Sequence, residues 1–237
     1  MTSEYPKILS LLEKRSQTGS YIFTLQQKCL LWKARENILK ILADRGITDT
    51  SPNGSVTFEE FIDWIGEDTE FDIMNYMTMT VKKNVVRKKV EIEEKTMVMW
   101  ISKAGVPELE SIASMAKLSD ITNVLVVVCH SDVKHPAKTF VAGASKLHVH
   151  FQLYTLSELQ YDVSTHRLVP KHEFATKQEI KAIKREYKVT KSQIPRIKAD
   201  DVQVRHLAAQ PGDVLKIKRP SETLPGYFDI YFRVVVP

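Results

Sequence analysis

Cysteine is almost absent from this chain of 237 residues, with Cys29 and Cys129 the only two. They lie far apart and outside any metal-ligand spacing, which excludes a disulfide scaffold or zinc finger and points to unpaired thiols in a reducing compartment. Glycine is scarce too, at eight residues, and none falls in a phosphate-cradling loop or a nucleophile elbow. No run approaches the roughly 18 apolar residues of a membrane span, and the opening MTSEYPKILS is too polar for a secretory leader. Internal repeats and low-complexity tracts are missing. These absences point to a soluble intracellular protein without membrane attachment.

What is present is enough for a sizeable core, since 43% of the residues are hydrophobic, and the length suits two domains. The net charge of +5 is unevenly spread: residues 164–237 carry 15 Lys and Arg against 8 Asp and Glu, while residues 1–163 carry 19 against 21. A basic bias of this size is compatible with an acidic neighbour such as nucleic acid but also with an ordinary domain.

Local chemistry marks the elements. Thr24 with Gln27 forms a capping-box pattern. Leu31, Ala34, Ile38, Ile41 and Leu42 then follow at helical spacing, and Gly46 supplies a stop. Thr57 with Glu60 opens a second, shorter helix facing inward through Phe58, Phe61, Ile62 and Ile65. In MTMTVKKNVVRKKVEIEEK the loose alternation predicts two edge strands, with Asn84 at a turn or bulge. Thr96–Ile101 reads as a strand, Pro107–Leu118 as a helix, and the continuously apolar NVLVVVC, residues 123–129, as a strand covered on both faces. A helix over 136–146 and a last strand with Val149, Phe151 and Leu153 complete an α/β first domain over residues 1–163, a mixed, partly parallel sheet flanked by helices.

The polar stretch from Tyr161 to His172, punctuated by Pro170, marks a boundary. Residues 164–237 read as a small α+β domain. Thr176 with Glu179 caps a helix whose Ile180, Ile183 and Tyr187 make one apolar stripe under a basic outer face. Its end, KIKRPSETLPGYFDIYFRVVV, reads as a hairpin: Lys216 and Lys218 flank Ile217 on a strand that stops near Pro220, Leu224-Pro225-Gly226 turns the chain, and Tyr227–Val236 returns as a second strand.

HRLVPKH (166–172), TKQEIKAIKREYKVTKSQIPRIKADD, GDVLKIKRPSET and YFRVV occur in one ordered series. This series closely resembles the C-terminal domain of the fifth-largest subunit of eukaryotic nuclear RNA polymerases, a domain with a counterpart among the archaeal polymerase subunits. LLWKARENILKILADRGI, SVTFEEFIDWIG and NVLVVVCHSDVKHPAK resemble the N-terminal part of the eukaryotic subunit more weakly. The chain departs from the family where it reads Asp200-Asp201 in place of an Asp-Pro, HLAAQPGD in place of a stretch with a glycine and a basic residue, and LPGYFDI in place of a shorter turn. The resemblance implies a noncatalytic, nuclear polymerase subunit without cofactor or metal. It further implies an N-terminal jaw domain near downstream DNA and a C-terminal assembly domain docked on the largest subunit beside other small subunits.

On that resemblance the partner-binding residues are Pro195, Arg196 and Ile197 of SQIPRI together with Lys216, Arg219, Ser221, Glu222, Thr223 and Tyr227 of the hairpin. Read from the residues alone, Ser221 and Thr223 satisfy their own turn, Ile194 and Ile197 are core anchors and Arg196 is solvated. The DNA-proximal residues are Lys134, His135, Pro136 and Lys138, in a loop after the buried strand whose charge suits phosphate rather than base edges. Arg87-Lys88-Lys89 is a second basic candidate with a solvated strand face as its simpler reading.

Two other functions fit parts of the sequence. A metal-dependent nuclease would use Glu93 and Lys95 on one strand face with Asp72, but a charged edge strand makes the same spacing by chance. The histidines, His148 and His150 on one strand face and His130 and His135 elsewhere, lack a complementary ligand set. A freestanding transcription regulator with the same assembly fold is the other alternative. No small-molecule substrate is implied.

Overall fold

The computed structural model describes residues 24–48, 50, 54–66, 70–87, 90–130, 132–144, 149–221, 223–224 and 226–237. The chain divides into two compact units, the first ending at Tyr161 and the second running from Asp162 to Pro237. Both contain mixed β-sheets with helices, an α+β architecture.

Among the described residues the first unit begins with α1 (Leu25–Asp44), where Thr24 accepts from the Gln27 amide and Gln27 reaches back to the Thr24 amide. Gly46, at φ +78°, ends the helix by donating to Ala43 O at 2.8 Å. The same reciprocal cap, Thr57 with Glu60, starts α2 (Phe58–Ile65). A short helix, α3 (Glu70–Met77), follows that the periodicity does not suggest; Ile73, Met74 and Met77 are buried.

Strands β1 (Met79–Arg87), β2 (Val90–Ile101), β3 (Asn123–Val128) and β4 (His150–Thr155) lie in the order β1-β2-β3-β4. The β1/β2 pair is antiparallel, in unbroken register from Met79↔Val98 to Arg87↔Val90, and Asn84 pairs with Glu93 inside it. The expected turn or bulge at Asn84 is therefore not there. The expected edge strand before Thr96 is the first half of β2, whose second half lies between β1 and β3.

The β2/β3 and β3/β4 pairs are parallel, connected through α4 (Val106–Leu118) and α5 (His135–Ala144). Two cores result because alternate strand residues feed opposite faces. Val124, Val126, Phe151 and Leu153 pack with Leu109 and Ile112 of α4. Leu125, Val127, Trp100 and Tyr154 pack with Leu31, Ile38 and Leu42 of α1 and Phe61 of α2. A wholly buried side chain such as Leu125 contributes roughly 2 kcal/mol from its removal from water.

The second unit has β5 (Lys171–Phe174), α6 (Lys177–Glu186), β6 (Arg196–Lys198), α7 (Val202–His206), β7 (Val214–Pro220) and β8 (Phe228–Val236), with sheet order β5-β7-β8-β6. The β5/β7 and β7/β8 pairs are antiparallel and β6/β8 is parallel. Its core is small: Val204, Leu215 and Val235, with Ile197, Ala199, Leu207 and Ala209 against them. The α6 stripe is only half-covered at Ile180 and Ile183, and Tyr187 is exposed.

Candidate docking site

The hairpin at the end of the chain grows from β7. Leu215 and Ile217 point into the unit and are buried, whereas Lys216 and Lys218 alternate to the other face. There Lys216 Nζ meets Glu179 Oε1 at 2.6 Å, and Lys218 Nζ meets Glu173 Oε2 at 3.1 Å. Lys171 binds the other oxygen of Glu173, and the two ammonium groups hold that carboxyl below its usual range. Lys216 is thus engaged within the unit.

The register runs from Val214↔Val234 to Pro220↔Phe228, so β7 includes Pro220 before the corner begins. The corner is tied by Ser221 N donating to Tyr227 O at 2.9 Å and Tyr227 N donating to Leu224 O at 3.1 Å. Gly226 sits at φ +87°, a conformation with little steric cost for glycine. The Ser221 and Thr223 hydroxyls lie 3.3 Å apart. Thr223 is exposed and Ser221 half-buried, while Glu222 lies outside the described residues. The Arg219 guanidinium rests 5.5 Å from the centre of the Tyr231 ring.

SQIPRI serves the fold as well. Ile194 is buried, and Ile197 packs on the small core. Pro195 O accepts from Val234 N at 2.8 Å. Arg196 is exposed, and its carbonyl accepts from Arg233 Nη1 at 2.9 Å. Because β6 joins β8 at Val234–Val236 and the corner lies beyond Phe228, the SQIPRI residues and the corner stand about 20 Å apart along β8 at the usual rise per strand residue, with Lys216 between them opposite Phe232. They mark the two ends of one strand.

Tyr227, at the corner end, is 68% exposed, and Leu224 beside it is exposed too. Further along the strand lie residues that the sequence reading does not single out: Phe228 is 64% exposed, Ile230 52% and Tyr231 49%. A strand apolar on both faces is normally covered on both, as β3 is; here no such cover is present among the described residues of the unit. The signal is present in YFDIYFRVVV as apolar side chains at both odd and even positions.

An open cleft of about 360 Å³ borders the hairpin base, lined among others by Pro170, His172, Asp201, Gln203, Arg219 and Arg233. His172 Nδ1 lies 2.7 Å from Pro170 O and donates to it. Burial pushes the imidazole pKa down, reinforced by Arg219 and Arg233 and opposed by the Pro170 carbonyl and Asp201.

In the first unit, His135, Pro136 and Lys138 occupy the first turn of α5 and Lys134 immediately precedes it, so the sequence-predicted loop is largely a helix start. Lys138 N donates to Lys134 O at 3.2 Å, and the Lys134 side chain is exposed. His135, Pro136 and Lys138 are exposed. Arg87 ends β1, and Lys88, Lys89 and His148 lie outside the described residues.

Of the nuclease candidates, Glu93 and Lys95 each have a partner within the unit. Glu93 pairs with Lys82 at 2.8 Å, which lowers its pKa, and Lys95 Nζ reaches the Ser119 carbonyl at 3.4 Å. Among the described residues no group of three or more His, Cys, Asp or Glu could hold a metal ion.

Residues 161–235 match the family model of the RNA polymerase Rpb5 C-terminal domain. The DNA-directed RNA polymerase subunit Rpo5 of Thermococcus celer is 46% identical over 77 residues, covering 32% of this chain and 92% of that protein. The DNA-directed RNA polymerases I, II, and III subunit RPABC1 of Caenorhabditis briggsae is 26% identical over 208 residues, covering 87% of this chain and 95% of its own length. The corresponding subunit of Dictyostelium discoideum is 24% identical over 211 residues, covering 87% and 97%. The chain belongs to the Rpb5 family of RNA polymerase subunits. It is a noncatalytic component of a DNA-directed RNA polymerase.

Proposed function

We propose that residues 164–237 act as the assembly domain, docking on the largest polymerase subunit beside neighbouring small subunits. Residues 1–163 then form the part of the lower jaw that lies near downstream duplex DNA. The observation that carries the docking reading is the exposed apolar hairpin, with Tyr227, Phe228 and Ile230 open to solvent in a unit that closely matches polymerase subunits. Covering such side chains in a partner supplies association energy in proportion to the apolar area removed from water.

The polar corner adds direction. Ser221 and Thr223 can donate and accept, and Glu222 brings a carboxylate. Pro195, Arg196 and Ile197 border the opposite end of the same strand pair. Beside His135 and Pro136, Lys134 and Lys138 offer positive charge at a helix start, suited to phosphate and independent of base sequence. The names of the eukaryotic relatives, which cover polymerases I, II and III, support a nuclear setting.

Docking is tested by purifying tagged full-length chain from its native cells and quantifying recovered polymerase subunits. The double variant Glu222→Ala, Thr223→Ala should recover much less largest subunit while melting like the parent. Unchanged recovery removes the corner from the interface, and absence of any polymerase subunit with the parent chain overturns the docking reading.

A further inference from the structure

Strand β8 is paired unequally on its two sides. Toward β7 the register is continuous from Phe228 to Val234, but β6 accompanies it only at Val234–Val236. Val234 N donates to Pro195 O and Val236 O accepts from Ala199 N, so even-numbered residues aim their main-chain groups toward the β6 side. Tyr227 O accepts from Ser221 N and Val235 N donates to Asp213 O, so odd-numbered residues face the other way. The N–H and C=O groups of Phe228, Ile230 and Phe232 therefore face a side on which, among the described residues, no strand lies. Their side chains share one face of the strand; Phe228 and Ile230 are exposed and Phe232 is half-buried.

We propose that the open edge of β8 at Phe228–Phe232 receives an extended segment of another polymerase subunit as an added strand. This rests on the reading of the second unit as the docking module and specifies how it docks. A row of alternating donors and acceptors at strand spacing is matched by another main chain, and the apolar stripe beside it calls for apolar residues at alternate positions of that segment. The start of β6 at Arg196 closes the edge at one end and the corner closes it at the other, so the added strand is about five residues long. A second copy of this chain is disfavoured as occupant because residues 164–237 carry 15 basic against 8 acidic side chains, and like-charged units repel. The same surplus favours an occupant with acidic residues flanking its apolar positions.

Residue-resolved hydrogen exchange on the full chain, free and after incorporation into purified polymerase, tests this directly. The amides of Phe228, Ile230 and Phe232 should slow by about 100-fold or more on incorporation, while Asp229, Tyr231 and Arg233, already facing β7, are slow in both states. If the chain is incorporated and those three amides exchange as in the free protein, the added strand is refuted while docking stands. If the free chain sediments as a dimer with the three amides protected, the occupant is a second copy and the proposal fails. Recovery of no polymerase subunit removes the docking reading and this proposal with it.

Two variants separate main-chain pairing from side-chain contact. Ile230→Pro deletes a donor that faces no strand among the described residues, so the free chain should melt as the parent does while polymerase recovery falls by about tenfold or more. Ile230→Thr keeps the donor and should cost distinctly less. Equal losses from the two variants overturn strand pairing.

Discussion

Glu179 joins α6 to β7: its Oε1 accepts from Lys216 Nζ at 2.6 Å while its Oε2 accepts from the Thr176 amide at 2.8 Å and the Thr176 hydroxyl at 2.9 Å. One carboxylate thus completes a helix cap and anchors a strand. The helix buries none of its residues fully, so this polar link takes on a share of positioning that apolar burial performs in the first unit.

The Glu179 carboxyl is held down to about 2 from its usual 4.5, first by the Lys216 hydrogen bond and then by Thr176. A depressed carboxyl stabilises the folded state above its unfolded value, and that contribution is lost as pH falls from about 4.5 toward about 2. Glu179→Gln should lower the melting temperature near neutral pH, and the gap from the parent should close as pH drops through that window. A gap independent of pH would show that the substitution acts through something other than the ionised carboxylate. Carboxyl ¹³C shifts offer a second measurement, with the Glu179 midpoint near 2.

Helix α7 ends in an arrangement made for glycine but occupied by alanine. Ala208 lies at φ +55°, its N–H donates to Arg205 O at 3.1 Å, and Ala209 N–H donates to Val204 O at 3.0 Å, the paired bonds of a left-handed C-cap. This falls in HLAAQPGD, where the family resemblance leads to the expectation of a glycine. Ala208→Gly should stabilise the second unit by about 1 kcal/mol or less, since relief of the left-handed strain is partly offset by greater freedom of the unfolded chain. Chemical denaturation followed by a probe in the second unit checks the sign. A loss of stability would mean that the methyl group contributes more than its backbone position costs.

What is legible in the sequence is what depends on near neighbours. The boxes at Thr24, Thr57 and Thr176 are contacts between residues three apart, and all three are formed. The run at Val124–Val128 is covered on both faces because helices lie on both sides of its sheet. By contrast, α3 is only eight residues long and depends on burial of Ile73, Met74 and Met77, a tertiary effect that its local propensity does not reveal. The exposure of Phe228 and Ile230 is hidden for the same reason. Their sequence reads as a strand, but whether its faces are covered depends on what the rest of the unit packs against them, and Phe228 and Ile230 are left exposed.

The charges at the start of α5 lead to a prediction about the assembled enzyme. Lys134 and Lys138 flank one helical turn, joined by the main-chain bond between them, and neither side chain is buried. If both neutralise phosphates of downstream duplex, replacing them with glutamate should make the dependence of log affinity on log salt shallower by about 0.9 per lost contact, roughly 1.8 in all. The weakening should be equal for duplexes of different sequence, because phosphate contacts carry no base information. Pro136 fixes the backbone where the helix begins, so the double substitution should leave the melting temperature of the free chain nearly unchanged. Salt titrations of polymerase containing the parent or Lys134→Glu, Lys138→Glu chain provide the measurement. An unchanged slope with normal incorporation would separate this surface from DNA while leaving the docking of the second unit intact.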